Sequence, residues 1–444
     1  MDKLAGYSTS NRKIDPSRRP AAKPDGSPND NDRVEIGPTP MAFESWAKAG
    51  LEAPNLAAMR KFRLERLTGE LRKRDYAGLL CFDPLNIRYL TDSTNMQLWV
   101  THNPSRACFV SADGYIILWD YARCDHLSSH LPLVREVRHG ASFFYFVSGE
   151  RVAEHAARFA GEIDQVMRTH GGNNRRLAVD RIEPEGLSAL HRLGIETFQG
   201  QAVTEMARAI KGPDEIKGLK CAVHSCETAM GKMQEALAPG MTENDLWSIL
   251  HAENIRHGGE WIETRILASG QRTNPWFQEC GPRIIQDGDI VAFDTDLIGV
   301  YGMCCDISRT WLCGEREPSA EQKRVYRQAH NQVMNNIAIL KPGMGFHEFT
   351  QKADAGLPEF RAQRYGVLGH GVGLCDEYPS LYFQEDYLAA GYDGVFEPGM
   401  AICVESYSGT VGGSFGVKLE QQVLITGTGV EDITRYPYEE KFLA

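Results

Sequence analysis

The stretch DIVAFDTDLIGVYGMCCDISRTW, residues 289–311, decides the fold. It begins with a short apolar run, Ile290 to Phe293, that ends in Asp294 and is followed by Asp296. An apolar run of that length between turn signals reads as a buried strand. Side chains two apart on a strand share a face, which puts Asp294 and Asp296 on the same side. Two carboxylates at the end of a buried run are costly without a counter-charge. Asp306 follows twelve residues after Asp294, beyond a turn at Gly299 and on what reads as a return strand.

Outward from this stretch the chain repeats itself faintly. Leu237-Ala238-Pro239-Gly240-Met241 recurs as Leu340-Lys341-Pro342-Gly343-Met344, each copy between two helical patterns. Downstream of each copy, a glycine opens an apolar strand that ends in an acid six residues later: Gly288 to Asp294, and Gly399 to Glu405. Two similar α/β halves would then meet around a site lined by acids from both. The second half adds His370, between glycines in GHGVG, and Glu420, in the strand-like GVKLEQQVLIT.

Composition sets the frame. The chain has 444 residues, 42% of them apolar, which is a prior of two to three domains with ample core. Basic residues number 48 and acidic ones 59, a formal charge of −11, where a nucleic-acid binder would carry a basic excess. No stretch approaches the roughly 20 apolar residues of a membrane span, and MDKLAGYSTSNRK lacks the apolar run of a secretory signal. Eleven scattered cysteines without a CxxC pair read as reduced thiols, so the expected location is the cytoplasm.

Three segments are expected. Residues 1–42 form an extended arm, because positions 8–40 hold six of the 21 prolines among polar residues. Residues 43–210 read as an α/β domain. In it, AGLLCFDPLNIRYLT (77–91) is a buried strand, a turn at Asp83-Pro84 and a second strand or turn. ACFVSADGYIILWD (107–120) is a hairpin about Ala112-Asp113-Gly114, and RRLAVDR (175–181) holds a short strand. Residues 211–444 form the second domain, opened by a helix at Pro213 with Asp214 and Glu215 in its first turn.

Asp294, Asp296, Asp306, His370, Glu405 and Glu420 together make an oxygen-rich set with one imidazole. That suits Mn, Fe, Co or Zn. Up to five carboxylates can neutralise two divalent cations, with one or two of them bridging.

At these residues a resemblance emerges. DGDIVAFDTD, CDISRTW, GHGVGL, EPGMAICVES and VKLEQQVLIT resemble the motifs of the creatinase, prolidase, aminopeptidase P and methionine aminopeptidase superfamily, the pita-bread fold. AGLLCFDPLNIRYLT resembles the amino-terminal domain of prolidases and creatinase. The resemblance implies a creatinase-like α/β domain followed by a pita-bread domain with a pseudo-twofold repeat. It also implies a two-metal site at the six residues above, and a homodimer in which the first domain of one subunit roofs the site of the other.

The departures from the peptidases narrow the reading. Their histidine upstream of the first metal aspartate has no counterpart in SGQRTNPWFQECG, residues 269–281. Asp376, in Cys375-Asp376-Glu377-Tyr378-Pro379, stands where they carry a second histidine. The aspartate step also differs, twelve residues from Asp294 and ten from Asp296, with a carboxylate added. Metal ligands retained beside altered proton shuttles resemble the dimethylsulfoniopropionate (DMSP) lyases of the DddP type. That branch implies an iron-preferring site, with Mn or Zn as alternatives, and cleavage of DMSP to dimethyl sulfide and acrylate.

The chemistry is consistent with that branch. β-Elimination removes a weakly acidic proton next to a carboxylate, which a metal-held carboxylate eases, and expels a neutral sulfide that needs no general acid. Asp376 is the candidate base. Tyr365, five residues before His370, is the first candidate to hold the sulfonium on an aromatic face, with Trp99 from the first domain as a second, and Trp276 and Phe277 in reserve. The alternatives are an Xaa-Pro metallo-aminopeptidase or prolidase, and a non-catalytic binding protein on the same fold.

Overall fold

The computed structural model describes residues 36–128 and 130–444. Two compact units emerge, one built on Asn55–Arg208, the other on Gly37–Pro54 together with Ala209–Ala444. The proline-rich arm expected at 1–42 lies, up to residue 35, outside the described residues.

In the first unit the strand expected in AGLLC is Gly78–Cys81. It pairs antiparallel with Ala107–Ser111 and parallel with Arg176–Val179, near the middle of a six-stranded mixed sheet. The hairpin about Gly114 is present, Ala107–Ser111 against Ile116–Trp119, with Gly114 at φ +90° making the turn. One face of the sheet (Leu80, Phe109, Ile117, Trp119) shares a core with Ala156, Phe159 and Ile163 of helix Val152–Gly171.

Residues 84–91 depart from expectation. They form a helix, Pro84–Thr91, rather than a second strand or turn. Asp83 caps it, its carboxylate accepting from the N–H of Leu85 at 2.8 Å and of Asn86 at 3.3 Å. Pro84 occupies the first turn, where a missing N–H costs nothing. The Asp-Pro pair is therefore a helix start.

The second unit begins earlier than the expected boundary and takes in residues assigned above to the first domain. Helix Pro40–Lys48 belongs to it through Trp46, which is buried. The Trp46 indole N–H donates to Ser225 Oγ at 3.1 Å, and its ring lies edge-on to Phe43 at 5.2 Å. From Ala209 the chain runs into helix Pro213–Ala236, where the Glu215 carboxylate accepts the Gly212 N–H at 3.0 Å.

The internal repeat is physical. Gly240 N–H donates to Ile285 O at 2.9 Å and Ile285 N–H returns to Met241 O at 2.9 Å. In the second half Gly343 N–H donates to Phe396 O at 2.8 Å and Phe396 N–H to Met344 O at 2.9 Å. Gly240 at φ +100° and Gly343 at φ +81° take the left-handed conformation that each turn needs. Each turn joins two helices, Pro213–Ala236 to Glu243–His257 and Ala320–Ile339 to Phe346–Lys352.

The strands that follow form the inner layer. Ile290–Asp294 lies between Leu267–Ser269 and Ser308–Leu312, antiparallel to both. Ala401–Gly409 is central in a five-stranded sheet ordered Asp376–Leu381, Gly369–Val372, Ala401–Gly409, Gly416–Ile425, Val430–Asp432. Val325, Ala329 and Val333 of helix Ala320–Ile339 share a core with Ile402, Val404, Leu419 and Val423 of this sheet. The architecture is mixed α/β, and both acid-bearing strands are buried along their whole length. Among the described residues no helix is long and apolar enough to cross a membrane, and all eleven cysteines are free thiols.

Candidate metal centre

The repeat halves bring acids together from different places on their strands: Glu405, expected to end its strand, lies in the middle of Ala401–Gly409, which continues past it. Asp294 closes its strand, while Glu405 and Glu420 lie on neighbouring strands as directly opposed partners. His370 sits opposite Cys403, on the strand that flanks Ala401–Gly409 on its other side. Asp306 lies between the strand segments Cys304–Cys305 and Ser308–Leu312. Asp296 departs from expectation in its backbone. The strand ends at Asp294, and Asp296 stands at φ +35°, in the turn that follows. The carboxylates nevertheless converge: oxygens of Asp294, Asp296 and Asp306 lie within 4.8 Å of one another, as do ligand atoms of Asp306, His370, Cys403 and Glu420.

His370 orients the cluster. Nδ1–H donates to the Gly371 carbonyl at 3.0 Å, which turns Nε2 toward the cage; burial opposes the ring's charge, but Asp376, Asp306, Glu420 and Glu405 outweigh it and hold the pKa well above the usual histidine range. Nε2 lies 3.3 Å from Asp306 Oδ2, 3.4 Å from Glu420 Oε1 and 3.7 Å from Glu405 Oε1.

Crowding and burial leave these acids short of positive charge. Burial, then Glu420, Asp294 and Asp296, push the Asp306 carboxyl well above the ordinary range. Asp296 is pushed up to about 8, by burial first and the charges of Asp294 and Asp376 next. Burial also raises Glu405 to about 8, against Lys418. Glu420 goes the other way, because Lys418 and His370 outweigh its burial. Asp306 Oδ1, Glu405 Oε1 and Glu420 Oε1 are buried without a hydrogen-bond partner. Buried acceptors are rarely left so. Orphaned, crowded carboxylate oxygens around one imidazole fit divalent cations; five of the six expected ligands fall in the two converging groups, and Glu405 joins them with Oε1 3.7 Å from His370 Nε2.

The remaining expected site residues divide. Asp376 begins its strand beside His370, with Oδ1 3.7 Å from Nδ1 and half of its side chain open to solvent. Burial on the closed side, opposed by His370 and reinforced by Glu420, raises its pKa. Tyr365 flanks the cage, its ring centroid 4.6 Å from Lys418 Nζ and 5.3 Å from the ring of Phe277. Trp276 stacks on Tyr407 at 5.7 Å in the same wall, and Phe277 is exposed, at φ +69°. Trp99 belongs to the first unit, on helix Gln97–His102, edge-on to Tyr121 at 5.8 Å.

Lys418, Ser308, Thr264 and Cys403 were missed. Lys418 is sealed from solvent, with Nζ 3.0 Å from Asp294 Oδ2, 2.9 Å from Glu405 Oε2 and 2.8 Å from Glu420 Oε2. Burial works against its charge, but these carboxylates win and hold its pKa well above the usual lysine range. Thr264 Oγ1 donates to Asp296 Oδ2 at 2.6 Å. Cys403 donates its thiol to Asp306 O at 3.7 Å, and burial pushes that thiol up, so it stays neutral. For Lys418 the signal was available: it stands two residues before Glu420 on one strand and so shares its face.

The fold has known counterparts. The chain resembles the Xaa-Pro dipeptidase from Bacillus anthracis, with a TM-score of 0.69 at 24% identity over 86% of this chain and 99% of that one. It resembles the X-Pro aminopeptidase from Thermotoga maritima, with a TM-score of 0.67 at 19% identity over 85% and 98%. At such identities the likeness concerns fold alone. Residues 217–427 match the model of metallopeptidase family M24. Sequence relatives are much nearer. The dimethylsulfoniopropionate lyase DddP of Roseovarius nubinhibens is 54% identical over 433 residues, 96% of this chain and 97% of that protein. The one from Roseobacter denitrificans is 52% identical over the same shares. With the M24 fold, an acid cage built from both repeat halves and relatives this near over nearly its whole length, the chain belongs to the DddP family of dimethylsulfoniopropionate lyases.

Proposed function

We propose that this protein cleaves DMSP by β-elimination to dimethyl sulfide and acrylate, with Asp376 as the base. The observation that carries the reading is the contrast between Asp376 and the cage acids. Asp376 has half of its side chain open, while those of Asp306, Glu405 and Glu420 are 3% or less exposed. Sealed acids can hold metal, whereas an open one can reach a substrate.

Asp294, Asp296, Asp306, His370, Glu405 and Glu420 would hold two divalent cations, iron favoured, in this reading. Such cations, when bound, neutralise the substrate carboxylate and favour the negative charge that develops beside it. Asp376 takes the proton from the carbon next to that carboxylate. The C–H electron pair becomes the carbon–carbon double bond, and the C–S bond breaks with its electrons leaving on sulfur. The sulfonium thereby departs as neutral dimethyl sulfide and needs no acid. Burial and the Glu420 charge, which raise Asp376 above an ordinary carboxylate, make it a better base.

Tyr365 meets the sulfonium on its aromatic surface, with Phe277 as neighbour. Trp99 is assigned to the same cation, contributed in a cytoplasmic homodimer whose first domain roofs the partner's site. Incubating purified, iron-loaded protein with DMSP and with Xaa-Pro dipeptides, while following dimethyl sulfide in the headspace and acrylate in solution, tests the reading. Equal amounts of both products from DMSP are expected. Dipeptide hydrolysis without sulfide release would overturn the proposal in favour of a peptidase.

A further inference from the structure

Lys418 has no part in the reaction just proposed, yet it sits buried among three of the cage acids. It joins the acids at one end, Asp294, Glu405 and Glu420, and its Nζ donates to Ser308 Oγ at 2.9 Å. Ser308 Oγ lies in turn 2.8 Å from Asp294 Oδ1 and 2.9 Å from Glu420 Oε2, so hydroxyl and ammonium bridge the same carboxylates. Glu405 and Glu420 are directly opposed across two strands, an arrangement that repels without a counter-charge. The ring of Tyr365, 4.6 Å from Nζ, and that of Trp276, at 5.9 Å, flank the ammonium.

We propose that Lys418 is a resident counter-cation of the cage. It keeps Asp294, Glu405 and Glu420 assembled whether or not divalent ions are bound. Its charge also sets the load of the site, because five ligand carboxylates and one ammonium leave four negative charges for two divalent cations to balance. The inference rests on the two-metal reading above. It follows that the empty cage depends on this lysine more than the filled one does. Removing the charge while keeping the length, as in Lys418→Met, weakens the stripped protein and leaves a more acidic cage that grips a divalent ion harder.

The test is scanning calorimetry of the full chain, stripped by chelator and reloaded with Mn2+, with equilibrium dialysis of Mn2+. Lys418→Met is expected to widen the gap in Tm between the two states, with most of the loss in the stripped form, and to hold Mn2+ at least tenfold more tightly. Lys418→Arg, which keeps the charge, is expected to preserve the wild-type gap. Equal losses in both states, an unchanged or narrowed gap, or weaker Mn2+ binding would overturn the proposal and leave Lys418 an ordinary packing residue. Wild-type protein that takes up no Mn2+ would overturn this proposal and the two-metal reading together. A Lys418→Met protein that folds only when loaded supports the proposal in its strongest form. If it folds in neither state, Lys418→Gln decides by the same comparison, and failure of both overturns the inference.

Discussion

Asp376 Oδ1 lies 3.7 Å from His370 Nδ1, and its carboxyl also reaches the cage acid Asp306. The two ring nitrogens thus face different company, Nε2 the sealed acids and Nδ1 the Gly371 carbonyl with Asp376 nearby. His370 thus touches both the sealed acids and the half-open Asp376.

The sealed side is expected to fail through metal loss. Glu420→Gln removes one ligand and one charge, and altering even the outer partners of metal ligands costs about 10–100-fold in affinity. A drop of at least that size is expected, together with loss of turnover, and elemental analysis after dialysis measures it. Full metal content in this variant would remove Glu420 from the ligand set.

Metal removal is expected to lower stability as well as activity. A ligand at a thousand times its Kd stabilises the folded state by about 4 kcal/mol per site. The stripped protein is therefore expected to melt several degrees lower, and Fe2+ or Mn2+ to restore it. Identical melting curves before and after chelation would speak against a filled cage.

The helix at residues 40–48 carries a stability prediction. Trp46 fills a buried position against Phe43 and Tyr301 and donates to Ser225. Trp46→Ala is expected to cost about 3–5 kcal/mol, measured by urea unfolding, and Trp46→Phe less. A cost below about 1 kcal/mol would show that residues 37–54 are not integral to the second unit.

The cap at Asp83 predicts a smaller effect. Asp83→Ala leaves the N–H groups of Leu85 and Asn86 without their acceptor and is expected to cost about 1 kcal/mol. Asp83→Ser, which retains a cap oxygen, is expected to recover most of that loss.

Much of this molecule is written locally. The strand Ile290–Asp294, the hairpin at Gly114 and the repeated proline-glycine turns follow from short-range rules, and the structure has them. Other features depend on what is far away. Pro40–Lys48 joins the second unit because Trp46 finds Ser225, 179 residues along the chain, which no local pattern announces. Asp83-Pro84 serves equally as a turn and as a helix start, and packing selected the helix. The same-face rule placed Asp294 with Asp296, where the strand had already ended and a left-handed turn does the work instead. Applied to Lys418 and Glu420, on an unbroken strand, it finds the buried cation. A lone lysine in an apolar strand reads as a surface residue until the acids from two other strands are placed around it.

The central claim, that an exposed aspartate beside a sealed metal cage takes the proton, is tested most directly by one variant. Asp376→Asn keeps the shape of the side chain and abolishes its basicity. Measured side by side with the wild type for metal content and for dimethyl sulfide released from DMSP, it is expected to hold the same metal and to lose about 100-fold or more of its turnover. Full metal content with wild-type sulfide release would contradict the assignment.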